Sequence, residues 1–156
     1  MTPGPAGAIR WPPGFAPSES PVHIVNRSET TTAPGVVWQR LVHAARWPEI
    51  YANAHDVAIE GGNATLFADA RFAWKTFGVA LDSRVVEFEP ETRIAWIAES
   101  LGVRAYHAWL ITPLADGGCT ILTEETQHGW VARIGRLLFP RRMEHWHQRW
   151  IEALAA

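Results

Sequence analysis

From Asp56 to Gln127 the sequence alternates apolar and polar residues along one segment after another. "DVAIE", "ATLFADARFAWKT", "GVALDSRVVEFEP", "TRIAWIAES", "VRAYHAWLITPL" and "CTILTEETQ" share the period of two that belongs to strands. Between them "EGGN", "EPET", "LG" and "ADGG" supply turn chemistry. Strands in series with connections this short run antiparallel, because parallel neighbours need a crossover of a dozen residues or more. One strand raises a chemical question. In "YHAWLI", residues 106 to 111, a titratable imidazole at His107 stands between aromatics where a core strand would carry hydrocarbon.

The flanks change period. "VHIVNRSETT", from Val22 to Thr31, is β-rich and predicts a first strand. "APGVVWQRLVHAA" follows with Val37, Trp38, Leu41 and Val42 at helical spacing behind Pro34, a residue suited to a first turn. "RWPEIYANA" predicts a second short helix with Trp47, Ile50 and Tyr51 on one side. After Gly129 the helical period returns at Trp130, Ile134, Leu137 and Leu138, then at Met143, Trp146, Trp150, Ile151 and Leu154. Pro140 should kink or divide this last helix, since it has no amide to donate. Strand, two short helices, six strands and a long helix make an α+β chain. A sheet of about seven strands, apolar on one face, buries that face by curling round the long helix.

The 156 residues form one domain, 22–156, behind a Pro/Gly-rich tail, 1–21. Prolines at 3, 5, 12, 13, 17 and 21 block helix and central strand, which predicts a mobile or loosely draped tail. Trp11 and Phe15 are the exception, since large aromatics in a tail can cover a groove. The tail has no apolar core of a secretory signal, and no run is long enough to span a membrane. A formal charge of −2 gives no general field for phosphate backbones, so nucleic acid is not an expected partner. The single cysteine, Cys119, excludes an intrachain disulfide and argues against a cysteine zinc site. A reducing cytoplasm fits, with the protein a monomer or homodimer.

That element order, with "APGVVWQRL", "RWPEIY", "FAWKTFGVALDSRVVEFEPETRIAW", "YHAWLITPLADGGCTILTEET" and "HWHQRWIEAL", resembles the START/Bet v 1-like (SRPBCC) superfamily, and within it the bacterial polyketide cyclase/dehydrase-like group. The resemblance covers residues 22 to 155. It implies a helix-grip fold with a hydrophobic cavity, and either a cyclase or dehydratase acting on an aromatic, polyketide- or isoprenoid-like compound, or a non-catalytic carrier or sensor of such a metabolite. Fold alone does not choose between them. A third possibility is an interaction protein docking through the basic "PRR" turn and the aromatic tail.

Period two sorts the strand of His107. Val103, Ala105, His107, Trp109 and Ile111 share one face and Arg104, Tyr106, Ala108 and Leu110 the other. The first face matches Ile94, Trp96 and Ala98 and is taken as inward. The register of the next strand stays open. A three-residue "DGG" loop sets Glu125 opposite Trp109 and diagonal to His107, whereas a two-residue "DG" turn brings Glu124 inward. A carboxylate beside the imidazole would raise its basicity for acid/base work. On the last helix, about 100° per residue puts His147 about 40° from Met143, on the apolar arc, and His145 about 200° away. The catalytic candidates are therefore His107, Glu125, Glu124 and His147. Either they meet a ligand or they are satisfied core groups. Trp47, Tyr51, Trp74, Phe77, Leu81, Trp96, Trp109, Trp146 and Trp150 are the candidate ligand wall, since indoles suit a planar apolar ligand carrying a few oxygens. No metal and no cofactor are expected. Glu144 and His147 lack the second Glu/His pair of a di-iron bundle, and "HWH" diverges on a helix.

Overall fold

A computed structural model describes residues 7–156. Strands β1 (Val22–Thr30), β2 (His55–Ile59), β3 (Arg71–Thr76), β4 (Val79–Glu89), β5 (Arg93–Ser100), β6 (Val103–Pro113) and β7 (Cys119–His128) make one antiparallel sheet in the order β1-β7-β6-β5-β4-β3-β2. Helices α1 (Pro34–Val42) and α2 (Trp47–Ile50) lie between β1 and β2, and α3 (Trp130–Leu138) and α4 (Arg142–Ala155) close the chain. A bulge between Val85 and Glu87 on β4 helps bend the sheet. The inner face then closes on α4, the grip expected from the sequence. Asn26 Nδ2 donates to the Glu144 carbonyl at 2.9 Å, and Arg40 Nη1 and Thr32 Oγ1 cap the Leu154 and Ala155 carbonyls at 2.8 and 2.6 Å. The last two bonds satisfy carbonyls that the end of a helix leaves open.

Two local expectations are corrected and one is narrowed. Residues 64–70 do not extend β3 but form a connection after a 3-10 turn at Glu60–Gly62. Leu66 is buried there, with its amide bonded to the Val42 carbonyl at 2.8 Å, so packing on α1 outweighs local alternation. Of the two outcomes expected at Pro140, a kink or a division, the structure shows the division, with Phe139–Arg141 between α3 and α4. The described part of the tail does not hang free, and its first six residues lie outside the described residues. Ile9 and Phe15 are buried on the outer face of the sheet against Tyr106, Ala108 and Leu110.

This strap explains why β6 is buried on both faces. Its prolines offer no amides, but its carbonyls accept from outward side chains. Arg93 Nη1 bonds Ala8 at 2.8 Å, the Tyr106 hydroxyl bonds Arg10 at 3.0 Å, and Thr126 Oγ1 bonds Phe15 at 2.8 Å. The Arg104 guanidinium lies 4.7 Å from the Phe15 ring centre. A segment unable to join a sheet by its edge can thus lie across its face.

Candidate active site

The β6–β7 hairpin differs from both registers considered from sequence. Leu114 N–H bonds the Gly118 carbonyl at 2.9 Å across a three-residue loop, Ala115–Gly117, with Gly117 at φ 90°. The loop type is the first one considered, shifted one residue earlier. That shift sets Glu125 directly opposite His107 and Thr123 opposite Trp109. Glu124 consequently points to the other face, where it bonds His23 Nε2 at 2.7 Å, and it takes no part in the site.

His107 Nδ1 lies 3.2 Å from Glu125 Oε2, and His147 Nε2, from α4, lies 3.3 Å from the same oxygen. The two imidazoles stack with centres 4.7 Å apart. Gln127 Nε2 donates to Glu125 Oε1 at 2.6 Å. His107 Nε2 lies 2.8 Å from Thr123 Oγ1, whose hydroxyl donates to the Ala108 carbonyl at 3.0 Å. Having spent its one proton, Thr123 must accept, so hydrogen-bond matching assigns a proton to His107 Nε2.

Burial holds both imidazoles neutral. It drives His107 well below its usual range, with the neighbouring His147 adding to the effect, and lowers His147 to about 4. The lone pair of His107 Nδ1 therefore faces Glu125 Oε2, which is tolerable only with a proton between them. Burial supplies the condition by raising Glu125 to about 7 against the smaller opposing effect of the Gln127 bond. One chain of donors results: His147 Nε2–H to Glu125, Glu125 Oε2–H to His107, His107 Nε2–H to Thr123, and Thr123 to the Ala108 carbonyl. His147 Nδ1 is left as a buried lone pair with no partner among the described residues.

These groups have opposite linkage to pH. Both histidines have depressed values, so their stabilising contribution is present above their ordinary 6.5 and lost as pH falls through the folded value of about 4 for His147. Glu125 is raised from 4.5 to about 7, so its contribution is present below 4.5 and lost as pH rises through 7. Thermal denaturation against pH should show greatest stability near about pH 6–7, with a steep acid flank from two histidines against one carboxyl. In Glu125→Gln the decline around neutrality should disappear while the acid flank remains.

The cluster borders a cavity of about 300 Å³ between the inner face of the sheet, α3 and α4. Tyr51, Trp74, Phe77, Leu81, Trp96 and Trp150 line it, with His107, Glu125 and His147. Four expected residues do not. Glu124 is on the outer face. Trp47 is fully buried behind the wall, its indole bonded to the Leu41 carbonyl at 2.9 Å and its ring 5.2 and 5.0 Å from Trp74 and Trp150. Trp109 stacks on His107 at 5.2 Å, and Trp146 lies 6.1 Å from Tyr51; neither borders the cavity. Phe77 sits in a two-residue turn with Gly78, both at positive φ, its amide held by Asn53 Oδ1 at 3.0 Å. The same asparagine donates to the Tyr51 hydroxyl at 3.1 Å.

Sequence reasoning missed Thr123, the bond from Gln127 to Glu125 and the whole contribution of α3. Thr123 and Gln127 share the inward parity of Glu125 and could have been found once the register was known. It also missed that His107, Glu125 and His147 each offer one ligand atom, all within 4.8 Å of one another, a set able to hold a divalent ion such as zinc. The proton chain satisfies the same three atoms by itself.

A curved seven-stranded sheet gripping a C-terminal helix, with a cavity between them, defines the helix-grip class. The chain has the Bet v 1-like fold. It is 32% identical to a hypothetical protein of Helicobacter pylori, across 99% of this chain and 97% of that one, with a TM-score of 0.89. It also resembles truncated norcoclaurine synthase from Thalictrum flavum at 12% identity, 86% and 91% coverage and TM-score 0.66. The di-domain ARO/CYC StfQ of the steffimycin biosynthetic pathway matches at 15% identity and TM-score 0.69, over 86% of this chain and 50% of that one. At such identities these two likenesses show the fold alone. No protein-family model matches the sequence, and no curated protein does.

Proposed function

We propose that the cavity takes a small, mainly apolar ring compound with at least one hydroxyl or carbonyl oxygen, and that the His107–Glu125–His147 cluster receives that oxygen. The observation carrying this reading is a buried carboxyl, raised to about 7, in a chamber otherwise walled largely by hydrocarbon and indole. A group half protonated near neutrality can give or take a proton with little penalty, the property acid/base catalysis needs. His147 Nδ1 would accept the ligand's hydroxyl proton or a hydrogen bond from it. With Glu125 ionised, the Nε2 proton of His147 would pass to Glu125 Oε2 as Nδ1 gains the ligand's proton, and the same path run backward would return it, with His107 and Thr123 fixing its direction. Cyclisation or dehydration of an aromatic or polyketide-like substrate suits this equipment, and the ARO/CYC and norcoclaurine synthase likenesses support it at the level of fold. A carrier would use the same cluster only to orient its cargo.

Calorimetry with 2-naphthol and naphthalene tests the oxygen contact. The alcohol should bind more tightly, and His147→Phe, which removes the Nδ1 acceptor, should remove roughly tenfold or more of that preference, as expected for a lost buried hydrogen bond, while leaving naphthalene nearly unchanged. Equal affinities in the unaltered protein would overturn the proposal. Chelator treatment should leave 2-naphthol binding intact; its loss on chelation, with recovery on adding zinc, would replace the proton chain by a metal. Mass spectrometry of copurifying compounds identifies the natural ligand. Turnover of that compound, lost in Glu125→Gln with binding retained, separates enzyme from carrier.

A further inference from the structure

We infer that α3 and the turn after it dock on an anionic lipid surface, and that ligand passes between that surface and the cavity. Trp130, Ile134, Leu137 and Leu138 repeat at i, i+4, i+7 and i+8, the spacing by which a helix ordinarily buries a stripe in the core, and the sequence predicts that burial. The fold does the reverse. These four side chains are 61%, 48%, 80% and 62% exposed, Phe139 beside them is 54% exposed, and Ala132 is the one buried residue of α3. Nothing among the described residues covers this stripe.

Charge selects the occupant. Around the stripe stand Arg133, Arg136, Arg141 and Arg142 against one carboxylate, Glu144, which pairs with Arg136; four minus one leaves three positive charges locally on a chain of formal charge −2. Two copies joined through this face in a two-fold dimer would set those arginines against one another. Anionic headgroups would instead meet the arginines while acyl chains receive the tryptophan, leucines and phenylalanine, the division of labour of an interfacial helix. The location fits, since Trp130, Ile134, Leu138 and Phe139 also border the cavity, so a face seated in lipid offers an apolar ligand a dry route.

The N-terminus of α3 is fixed while its apolar face is free. Val131 N–H bonds the Gly102 carbonyl at 3.0 Å, and Gly129, at φ 107°, approaches Gly102 so closely that an added Cβ would lie 2.1 Å from that carbonyl oxygen. The helix is thus held in place with its stripe turned outward. This inference does not depend on the chemistry of the His107–Glu125–His147 cluster.

Sedimentation of the full chain with phosphatidylcholine vesicles, with and without phosphatidylglycerol, tests it. Binding to the anionic vesicles, weakened by added salt and by roughly tenfold or more in Arg133→Glu/Leu137→Glu, is the expected result. Both residues are exposed and neither borders the cavity, so the double variant should keep its melting temperature and its 2-naphthol affinity. No binding to either vesicle, equal binding to both, or binding indifferent to the double substitution would overturn the inference. So would a dimer seen by light scattering that the same substitutions dissolve.

Discussion

Phe15→Ala should lower the stability of the protein by about 3–5 kcal/mol, the usual cost of emptying a buried aromatic site. A residue in a proline-rich N-terminal segment would ordinarily cost nothing. Phe15 is 2% exposed, lies against Tyr106 and His128 at 5.7 and 5.8 Å, and is covered by Arg104. Truncation to begin at Val22 should do more. It would open the outer faces of β5 and β6 at Ala95, Tyr106, Ala108 and Leu110 and leave the guanidinium of Arg93, 4% exposed, without the Ala8 carbonyl. Apolar sheet surface of that kind associates with itself, so the truncated protein should bind anilinonaphthalene sulfonate and sediment as concentration-dependent oligomers. Urea denaturation of Phe15→Ala and sedimentation of the truncation check the two. An unchanged midpoint and a monomeric truncation would show that the strap merely rests on the sheet.

The element order was legible because each period had a distinct cause: alternation where one strand face packs inward, 3.6 residues where a helix grips. What escaped was set by contacts distant in sequence. On β6, Tyr106, Ala108 and Leu110 carry too much hydrocarbon for a wet face, but only the strap, some ninety residues earlier, explains it. His107 and His147 could be assigned inward from parity and helical phase. Their meeting on a single carboxyl oxygen could not be read, because the length of the turn decides whether Glu124 or Glu125 faces inward and its position decides whether that carboxylate lies opposite His107. The α3 stripe misled in the opposite direction. Its spacing is that of a core helix, and periodicity records that a face is apolar without recording what covers it.

Trp150→Ala should bring an even larger loss than Phe15→Ala, at or above the upper end of the about 3–5 kcal/mol usual for aromatic deletions. Trp150 is fully buried and stacks on Tyr51 at 4.5 Å with planes 9° apart. Trp47 and Trp109 each lie 5.0 Å away and His107 lies 5.8 Å away. Its indole nitrogen has no partner among the described residues, so its contribution is volume and contact, not hydrogen bonding. Trp150→Phe should therefore cost less than about half as much, refilling most of the space and discarding an unmatched donor. The two substitutions also separate packing from chemistry at the site. The hole left by alanine joins the existing cavity beside polar groups and can admit water, and hydration relieves the burial that holds Glu125 near 7. In Trp150→Ala its titration, followed by the carboxyl infrared band, should move down toward 4.5 and 2-naphthol should lose its ring contact; in Trp150→Phe the titration should stay near 7. If Glu125 titrates alike in both variants, the dryness provided by this indole is not what sets its proton affinity, and the acid/base reading of the cluster loses its physical basis.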